Sequence, residues 1–592
     1  MRFIEDGPAI PDNLLLARDE GRVMFFCGAG VSRAKAGLDD FYGLADCVLN
    51  KLHVSAEHIT RKVLAEAREI GSRTGASGLI SADRIFGLLE REFTESDIEA
   101  AVSNALKPKE KVDLSAHQIM LDLATTAEGK VNLVTTNFDR LFEATLKQTG
   151  TKNIKNIQPH HLSDVFGEEA FDGIVHLHGI VSENYDCAEG DGFILSSSEF
   201  GRAYLTEGWA TAFFREILSQ YVVVFIGYGA DDPPVQYLLE ALNKKEGQLT
   251  EVYAFQEGVE HEAIGKWVHK GVDAIAYDNR DKHKALWDTL ALWAKRAKSP
   301  ENWYQEIIDI AKPGPEAVKP FQRGQVAHVV STLEGARKLS EGDDFLPAEW
   351  LCAFDPYQRY AQPGKIMADY TAGEFIDPFK LYGLDSDETP QQIDPDDFNK
   401  KREVPDAAWD AFTMSKDDRQ NLQDHNLPAF RGYWAKAPGL LSPRLRYLGL
   451  WLGKVANQPA AVWWAAKQQG IHPDIQQNIQ REFIRNSKVV LPIFRIAWGY
   501  LFEFWFSNRT EYNNFSYDWN YLKTTIDKDG WSNQSLREYA VLKRPFFKIK
   551  QDIRHNKKPP VYNKVPSLTD MLGVEVEYPE QVHDIQISDE WL

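Results

Sequence analysis

Two periodicities alternate along the first 300 residues of the chain. Short runs of apolar, β-branched and aromatic residues predict buried strands, and the stretches between them repeat their apolar residues with the period of a helix. The predicted strands are Val23–Cys27, Val131–Thr135, Gly173–Leu177, Val222–Gly227 and Val252–Phe255. The predicted helices include Leu52–Arg73, Ile98–Ala105, Phe138–Gln148, Trp209–Gln220 and Val235–Lys244. This alternation predicts a Rossmann-like α/β fold, with a mainly parallel sheet covered by helices on both faces and a helical insertion after the first strand.

The pattern changes at residues 297–305, "AKSPENWYQ", where the strand signals stop. Beyond this point, residues 443–470 and 474–506 have helical periodicity, and 12 of the 16 tryptophans lie after residue 300, which indicates a large aromatic core or an interface. A chain of 592 residues is also too long for one hydrophobic core. We therefore predict an α/β domain over residues 1–297 and a mostly α-helical domain over residues 298–592.

Composition narrows the functional classes. The formal charge of -20 disfavours a large nonspecific nucleic-acid surface, which needs clustered Lys and Arg. The four cysteines have neither metal-finger nor disulfide-scaffold spacing, as is usual in a reducing compartment. The N-terminal residues lack the apolar core of a signal peptide, and the longest apolar stretch, from Val489, contains Arg495 and Glu503. We therefore expect a cytoplasmic protein with no membrane span.

Candidate chemistry follows three of the predicted strands. The first strand runs into Gly28–Ser32, "GAGVS", and a Gly-x-Gly loop after a strand lets main-chain N–H groups approach a phosphate. The third glycine of the dinucleotide fingerprint is replaced by Arg33, so a hydride-transferring dehydrogenase fits poorly. Alone, the loop is equally compatible with a tight turn that binds nothing. The segments "TTNFD", residues 135–139, and "HG", residues 178–179, follow two later strands, at the sheet edge where α/β proteins place their chemistry.

These three motifs, in this order, resemble the sirtuin family. They correspond to its "GAG-[IV]-S", "T-[QT]-N-x-D" and "HG" signatures, and "VVVFIGYGADD" from Val222 is similar to the strand and loop that close the sirtuin cofactor site. The resemblance covers roughly residues 15–295. It implies a domain that binds NAD+ and breaks its nicotinamide bond.

Two departures from the family accompany the resemblance. Sirtuin deacylases have paired Cys-x-x-Cys zinc ligands soon after the catalytic histidine, whereas this chain has Cys187 alone in that interval, so we expect no metal. The acyl-lysine peptide of those enzymes lies beside the zinc module, and its loss argues against deacylation. The family's "GIPDFR"-like segment is "GLDDFYGL" here, which keeps Asp39 and Phe41 but not the proline or the arginine.

The resemblance implies a role for each candidate residue. Gly28, Ala29, Gly30 and Ser32 would cradle the diphosphate and the adjoining ribose of NAD+. Asn137 would fix the nicotinamide ribose and the attacking water, Asp139 would hold the loop or contact the nicotinamide side, and His178 would be the general base. The remaining cofactor-binding candidates are Phe41, Thr136, Gly227 and Asp231, although Asp231 could instead cap the next helix. His176 is expected to be a packed histidine with satisfied hydrogen bonds.

Together these features predict an NAD+ hydrolase that releases nicotinamide and ADP-ribose. Sirtuin-like domains that lack the zinc module and are fused to a helical region resemble the defence-associated sirtuins, the NAD-depleting effectors of bacterial anti-phage defence. The resemblance implies a sensing, regulatory or oligomerising C-terminal domain, a homo-oligomer, and a phage-derived or second-chain activator or inhibitor. A deacylase with an unusual peptide site and a catalytically silent NAD or ADP-ribose scaffold stay open as alternatives. Cyclisation of NAD+ is a variant that the sequence does not separate from hydrolysis.

Overall fold

The structure is a computed structural model. It describes residues 1–74, 80–108, 111–150, 154–157, 171–190, 192–230, 232, 239, 251–342, 345–365, 375–392, 402–413, 430–431, 440–486, 494, 498–499 and 501–502. Two compact units are present, one formed by residues 2–300 and the other beginning at residue 301. No helix in the described ranges is long and apolar enough to cross a membrane.

A parallel sheet organises the first unit. Its strands and those of a small antiparallel ribbon are β1 Val23–Cys27, β2 Asn132–Thr135, β3 Asn156–Ile157, β4 Gly173–His176, β5 Ile180–Val181, β6 Ala188–Glu189, β7 Val222–Ile226, β8 Val252–Glu257 and β9 Asp273–Tyr277. The strand order in the sheet is β3-β4-β2-β1-β7-β8-β9, and every neighbouring pair is parallel. The β5–β6 pair forms the separate ribbon. The predicted Rossmann-like parallel sheet is therefore confirmed.

The register of the sheet brings three loops to one edge. Cys27 at the end of β1 pairs with Thr135 of β2 on one side and with Ile226 of β7 on the other. Thr135 in turn pairs with His176 of β4. The chain leaves β1 for β2 on one side and later returns to its other side at β7, so β1 lies at the topological switch point, where α/β folds bind their ligands.

Helices connect the strands. In the described part of this unit they are α1 Asp12–Asp19, α2 Ala29–Ala34, α3 Phe41–Lys51, α4 Ile59–Thr74, α5 Ala82–Leu89, α6 Glu95–Ala105, α7 Ser115–Ala124, α8 Leu141–Thr149, α9 Ser197–Gly201, α10 Trp209–Gln220, α11 Glu260–Trp267 and α12 Arg280–Lys298. A π-helical turn, Arg202–Thr206, joins α9 to α10, and a 3₁₀ turn, Val268–Lys270, follows α11. The predicted helix Val235–Lys244 lies outside the described residues, apart from Leu239.

Several observed elements differ from the predicted ones. The helix predicted from Leu52 begins at Ile59, because α3 ends at Lys51 and the chain then turns through His53, which has a left-handed φ of 51°. The strands β3, β5, β6 and β9 were not predicted, and β3 and β9 belong to the main sheet. Strand β3 has two residues and β9 is only partly buried, so neither gives a clear apolar run.

Helices cover both faces of β1. Neighbouring residues of a strand point to opposite faces. The Phe26 ring lies 5.4 Å from that of Phe214 on α10, and the Phe25 ring lies 5.9 Å from that of Trp293 on α12. The helical insertion α3–α6 packs in a second core that also contains Phe138, Val181, Phe193 and Leu195. Phe41 contacts both cores. Its ring stacks on Phe86 of the insertion at 5.3 Å, and it also packs against the core that includes the sheet residues.

The second unit is mostly helical in its described residues, as predicted. Its helices are α13 Pro300–Ala311, α14 Pro320–Ser331, α15 Leu333–Glu341, α16 Trp350–Phe354, α17 Pro356–Arg359, α18 Pro378–Tyr382, α19 Pro443–Val455, α20 Pro459–Ala465 and α21 Pro473–Arg485, with a 3₁₀ turn at Pro315–Ala317. A short antiparallel pair joins β10 Gly364–Lys365 to β11 Phe375–Ile376. Most of these helices begin with proline, which suits the first helical position because its fixed φ is helical and no N–H is needed there.

Tryptophans form much of the core of the second unit. Trp350, Trp451 and Trp464 are fully buried. Their indole N–H groups donate to Ala311 O at 2.9 Å, to Leu346 O at 3.0 Å and to Asp355 Oδ2 at 2.9 Å, respectively. Each ring therefore buries a large apolar area without leaving its donor unpaired. Packing within the unit accounts for these three tryptophans.

Candidate functional site

The glycines of the loop after β1 allow a close contact between two loops. Gly28 N donates to Ile226 O and Gly30 N donates to Gly227 O, both at 2.9 Å. A Cβ atom on Gly28 would lie 2.6 Å from Gly227 O, and one on Gly30 would lie 2.6 Å from Gly227 Cα. Gly227 has a left-handed φ of 77°, which favours glycine. The N–H groups of Gly28 and Gly30, which were predicted to bind a diphosphate, thus donate to main-chain oxygens here. Their role toward a ligand stays a prediction.

The turn after β2 is held by the hydroxyl group of Thr135. Its Oγ1 donates to Cys27 O at 3.0 Å and accepts from Asn137 N at 3.0 Å. Asp139 Oδ1 accepts from Leu141 N at 3.0 Å, at the start of α8. These bonds direct the side chains of Asn137 and Asp139 toward the loop that follows β1.

Four buried side chains meet there and are called the Ser32 cluster: Ser32, His117, Asn137 and Asp139. Ser32 Oγ donates to Asp139 Oδ2 at 2.7 Å and accepts from Asn137 Nδ2 at 3.0 Å. Asn137 Nδ2 also donates to Gly28 O at 3.0 Å, and His117 Nε2 lies 3.2 Å from Ser32 Oγ. None of the four side chains is more than 8% exposed. The structure therefore brings together three predicted site residues and His117, which sequence reasoning missed.

Tyr228 joins the loop after β7 to the loop after β2. Its hydroxyl lies 2.9 Å from Thr136 Oγ1, and burial raises the pKa of Tyr228 well above its ordinary value. The phenol therefore stays protonated and can hold the two loops together. Sequence reasoning missed Tyr228, although an aromatic residue between two glycines directly after a buried strand is a usable signal.

His178 lies beyond the end of β4 in an aromatic pocket. Its Nε2 is 2.7 Å from the hydroxyl of Tyr204, and the Phe200 ring meets it edge-on at 5.1 Å. The side chain is 2% exposed, and this burial lowers the pKa of His178 to about 3. The imidazole is therefore neutral near pH 7. Tyr204 and Phe200 were missed, and their signal was an aromatic pair at i and i+4.

The segment that covers His178 is anchored at several points. Ile194 N donates to His178 O at 2.9 Å, and Glu199 closes a capping box with Ser196 at the start of α9. Tyr204 lies in the π-helical turn, where Thr211 Oγ1 donates to its carbonyl oxygen at 2.8 Å. Turns of this kind are frequent at functional sites.

His176 is a packed residue, as expected from the sequence. Its Nε2 lies 2.8 Å from Glu143 Oε1, and the ring is fully buried. Burial alone would raise the pKa of Glu143, but the His176 imidazole and this hydrogen bond lower it. The pair joins β4 to α8 beneath the site.

The remaining predicted residues are less central. Ala29 lies in the first turn of α2, and Phe41 packs between Phe86 and Phe138 rather than standing free. Asp231 lies outside the described residues. Within the described ranges, no three His, Cys, Asp or Glu side chains are grouped as a metal ion requires.

Comparison with known proteins relates part of the first unit to a described family. A family model described as "SIR2-like domain" matches residues 131–275. The chain is also similar to "Uncharacterized protein y4cA" of Sinorhizobium fredii strain NGR234, with 28% identity over 325 residues. The aligned region is 53% of this chain and 26% of that protein, so the chain spans about a quarter of the length of this relative.

Replacing Gly30 with alanine is expected to destabilise the first unit. The added Cβ would meet the Gly227 backbone, which cannot move aside as a side chain can, and we expect a loss of about 1–3 kcal/mol. The matched control is Gly265→Ala on α11, where a Cβ meets nothing within 4 Å and alanine is the better helix former. Thermal unfolding measures both variants, and an equal midpoint for the two would contradict the close contact.

The stability of the first unit is expected to fall as the pH is lowered from about 6.5 toward 3. The pKa of His178 is 6.5 in the unfolded chain and about 3 in the folded chain. At a pH between these two values, His178 is protonated in the unfolded chain and neutral in the folded chain. One such proton changes the free energy of unfolding by about 1.4 kcal/mol per pH unit. The unfolding midpoint of His178→Gln should therefore depend less on pH between 7 and 5 than that of the wild type. Parallel curves would rule out this cause.

Proposed function

Because this chain contains a SIR2-like domain, which indicates an NAD+-related activity, we propose that the protein hydrolyses NAD+ to nicotinamide and ADP-ribose. The observation that carries the proposal is the meeting of the Ser32 cluster at the switch point of the sheet, with the neutral His178 imidazole beyond the next strand end. An amide can position water or the ribose, a carboxylate can stabilise positive charge, and a neutral imidazole can accept a proton, and hydrolysis of the nicotinamide–ribose bond uses all three tasks.

The chemistry breaks the bond between nicotinamide and the ribose carbon. Nicotinamide leaves as a neutral pyridine, and the ribose becomes an oxocarbenium-like cation that water attacks. The water proton passes to a base, and its oxygen forms the new bond of ADP-ribose. A carboxylate at a fixed position stabilises the developing positive charge without reorganisation, a role that Asp139 fits.

Asn137 is suited to position the water or the ribose. Both N–H groups of its amide are used, one by Gly28 O and one by Ser32 Oγ. None of the hydrogen bonds among the described residues uses Oδ1, which is left to accept from a hydroxyl or a water molecule. Holding the nucleophile in this way lowers the entropic part of the barrier.

His178 would accept the proton, but in this conformation it is a weak base. Its Nε2 faces Tyr204, and a group with a pKa of about 3 takes up a proton poorly near pH 7. Movement of Tyr204 away from the ring would expose the imidazole and raise its pKa toward the ordinary value. The contact therefore supports an enzyme that is held in a resting state.

We place this activity in a regulated effector of bacterial anti-phage defence that depletes NAD+ in the cytoplasm. Three features support the assignment: the covered His178, the lone exposed Cys187 in place of a zinc module, and the helical second unit. That unit would sense infection, and a homo-oligomer or a phage-derived or second-chain protein would release the enzyme. An NAD or ADP-ribose scaffold is the second candidate, favoured by the low basicity of His178 in this conformation.

Loss of NAD+ in a sample of the purified chain tests the proposal. We expect conversion to ADP-ribose that needs no acetyl-lysine peptide and falls by about 10²–10⁴-fold in His178→Ala and Asn137→Ala, since a general base or a fixed polar group contributes that much. The matched control, Cys187→Ser, changes an exposed side chain and should keep the wild-type rate.

The other outcomes of this experiment are distinct. Turnover only with the peptide would favour the deacylase. Tight NAD+ binding without turnover, with or without a candidate activator, would favour the scaffold. A chain that neither binds nor converts NAD+ would contradict the proposal.

Tyr204→Phe is expected to raise the basal rate of NAD+ loss severalfold. The substitution keeps the stacked ring but removes the hydroxyl that occupies His178 Nε2. Tyr221→Phe, a buried tyrosine in the same core, is the control and should leave the rate unchanged. A lower rate in Tyr204→Phe would instead mean that the hydroxyl orients His178 for catalysis.

A further inference from the structure

One hydroxyl group, that of Ser32, lies among three polar side chains. Its Oγ is 2.7 Å from Asp139 Oδ2, 3.0 Å from Asn137 Nδ2 and 3.2 Å from His117 Nε2. A serine hydroxyl has one proton to donate and two lone pairs that accept. With three neighbours at these distances, one must accept the proton and the other two must donate.

The main chain decides the role of Asn137. Gly28 O is a carbonyl oxygen and can only accept, so the amide NH2 group of Asn137 must face it. The second hydrogen of the same nitrogen then donates to Ser32 Oγ. A carboxylate also only accepts, so the Ser32 proton is directed to Asp139.

His117 must therefore be the second donor. In the neutral tautomer that donates from Nε2, the other ring nitrogen, Nδ1, carries no proton and can only accept. His117 Nδ1 is buried with no hydrogen-bond partner in the described part of the chain. The opposite tautomer would bury an unpaired N–H, which proteins rarely tolerate. The ring is held in place by Phe142, which meets it edge-on at 4.8 Å.

The electrostatic surroundings agree with a neutral ring. Burial lowers the pKa of His117 more than the nearby charges of Asp139 and Glu143 raise it. His117 is fully buried, and its neutral form donates from Nε2 without a partner at Nδ1.

We propose that His117 is a positioning residue that donates from Nε2 to Ser32 Oγ and so directs the Ser32 proton onto Asp139. This donation occupies the second lone pair of Ser32 Oγ and so holds the hydroxyl between Asp139 and Asn137, whose Oδ1 is left for a hydroxyl or water. What this orientation serves rests on the proposed NAD+ hydrolysis, whereas the hydrogen bond itself does not. His117 lies on α7, 20 residues before Asn137 in the sequence, and belongs to none of the three sequence motifs.

Two substitutions of different chemistry test the role. In His117→Gln the side-chain amide reaches the place of Nε2 and can donate, whereas His117→Phe keeps a ring but has no donor. We expect kcat for NAD+ hydrolysis to fall about tenfold or more in His117→Phe, since one buried hydrogen bond is lost, with KM little changed. His117→Gln should stay within about threefold of the wild type by the same reasoning.

A double-mutant cycle with Ser32→Ala shows whether His117 acts through Ser32. If it does, His117→Phe costs little further activity once the hydroxyl is gone. An equal loss of kcat in the wild-type and Ser32→Ala backgrounds would overturn the proposal. So would a His117→Gln variant as impaired as His117→Phe while both unfold at the wild-type temperature.

A measurement without NAD+ separates this proposal from the proposed function. Solid-state NMR of the full chain, labelled with ¹⁵N in histidine, distinguishes a protonated from a bare ring nitrogen, and His117→Gln identifies the His117 signals. We expect a neutral ring protonated at Nε2, with an Nε2 shift that moves in Ser32→Ala. A ring protonated at Nδ1 alone would overturn the proposal even if the enzyme hydrolyses NAD+. If the chain has no activity, or if His117→Phe does not fold, the protonation state of His117 in this spectrum still supports or overturns the proposed hydrogen bond.

Discussion

The parallel pairing of β1 with β2 on one side and β7 on the other is the constraint on which the site depends. It aligns Cys27 with both Thr135 and Ile226, so that the loops after three strands leave the sheet at one level. Each loop then supplies what the others lack: an acceptor at Gly28, an amide at Asn137 and a phenol at Tyr228. A shift of one residue in this register would turn each side chain to the other face of the sheet.

Close approach of two backbones follows from that register. Positions 30 and 227 require glycine, because a Cβ on either residue would meet the backbone of the other. Ser32 then faces the turn after β2. The glycines therefore shape the protein itself before any ligand is considered. A single hydroxyl then organises the buried polar groups, since the Gly28 carbonyl orients Asn137, Asn137 and His117 both donate to Ser32, and Ser32 donates to Asp139.

Basicity at the site is controlled by burial. His178 lies edge-on against the rings of Phe200 and Tyr204, where no charge offsets the loss of water, and its pKa falls to about 3. His117 is also buried, but the charges of Asp139 and Glu143 oppose part of the shift. The two histidines thus suit different tasks. His117 needs only to donate one hydrogen bond, whereas His178 must gain a proton and is restrained until its surroundings change.

The sequence by itself determined the parallel α/β sheet, the helical character of the second unit and the order of the three loops at the strand ends. These features depend on local apolar periodicity and on short motifs, which act over a few residues. It did not reveal His117, Tyr204 or Tyr228, nor that the N–H groups of Gly28 and Gly30 donate to main-chain oxygens. Those contacts join residues 26 to 198 positions apart, and no local pattern encodes the distance between two such atoms. Only the tertiary structure decided them, because the register of the sheet brings the atoms together and burial then sets their protonation.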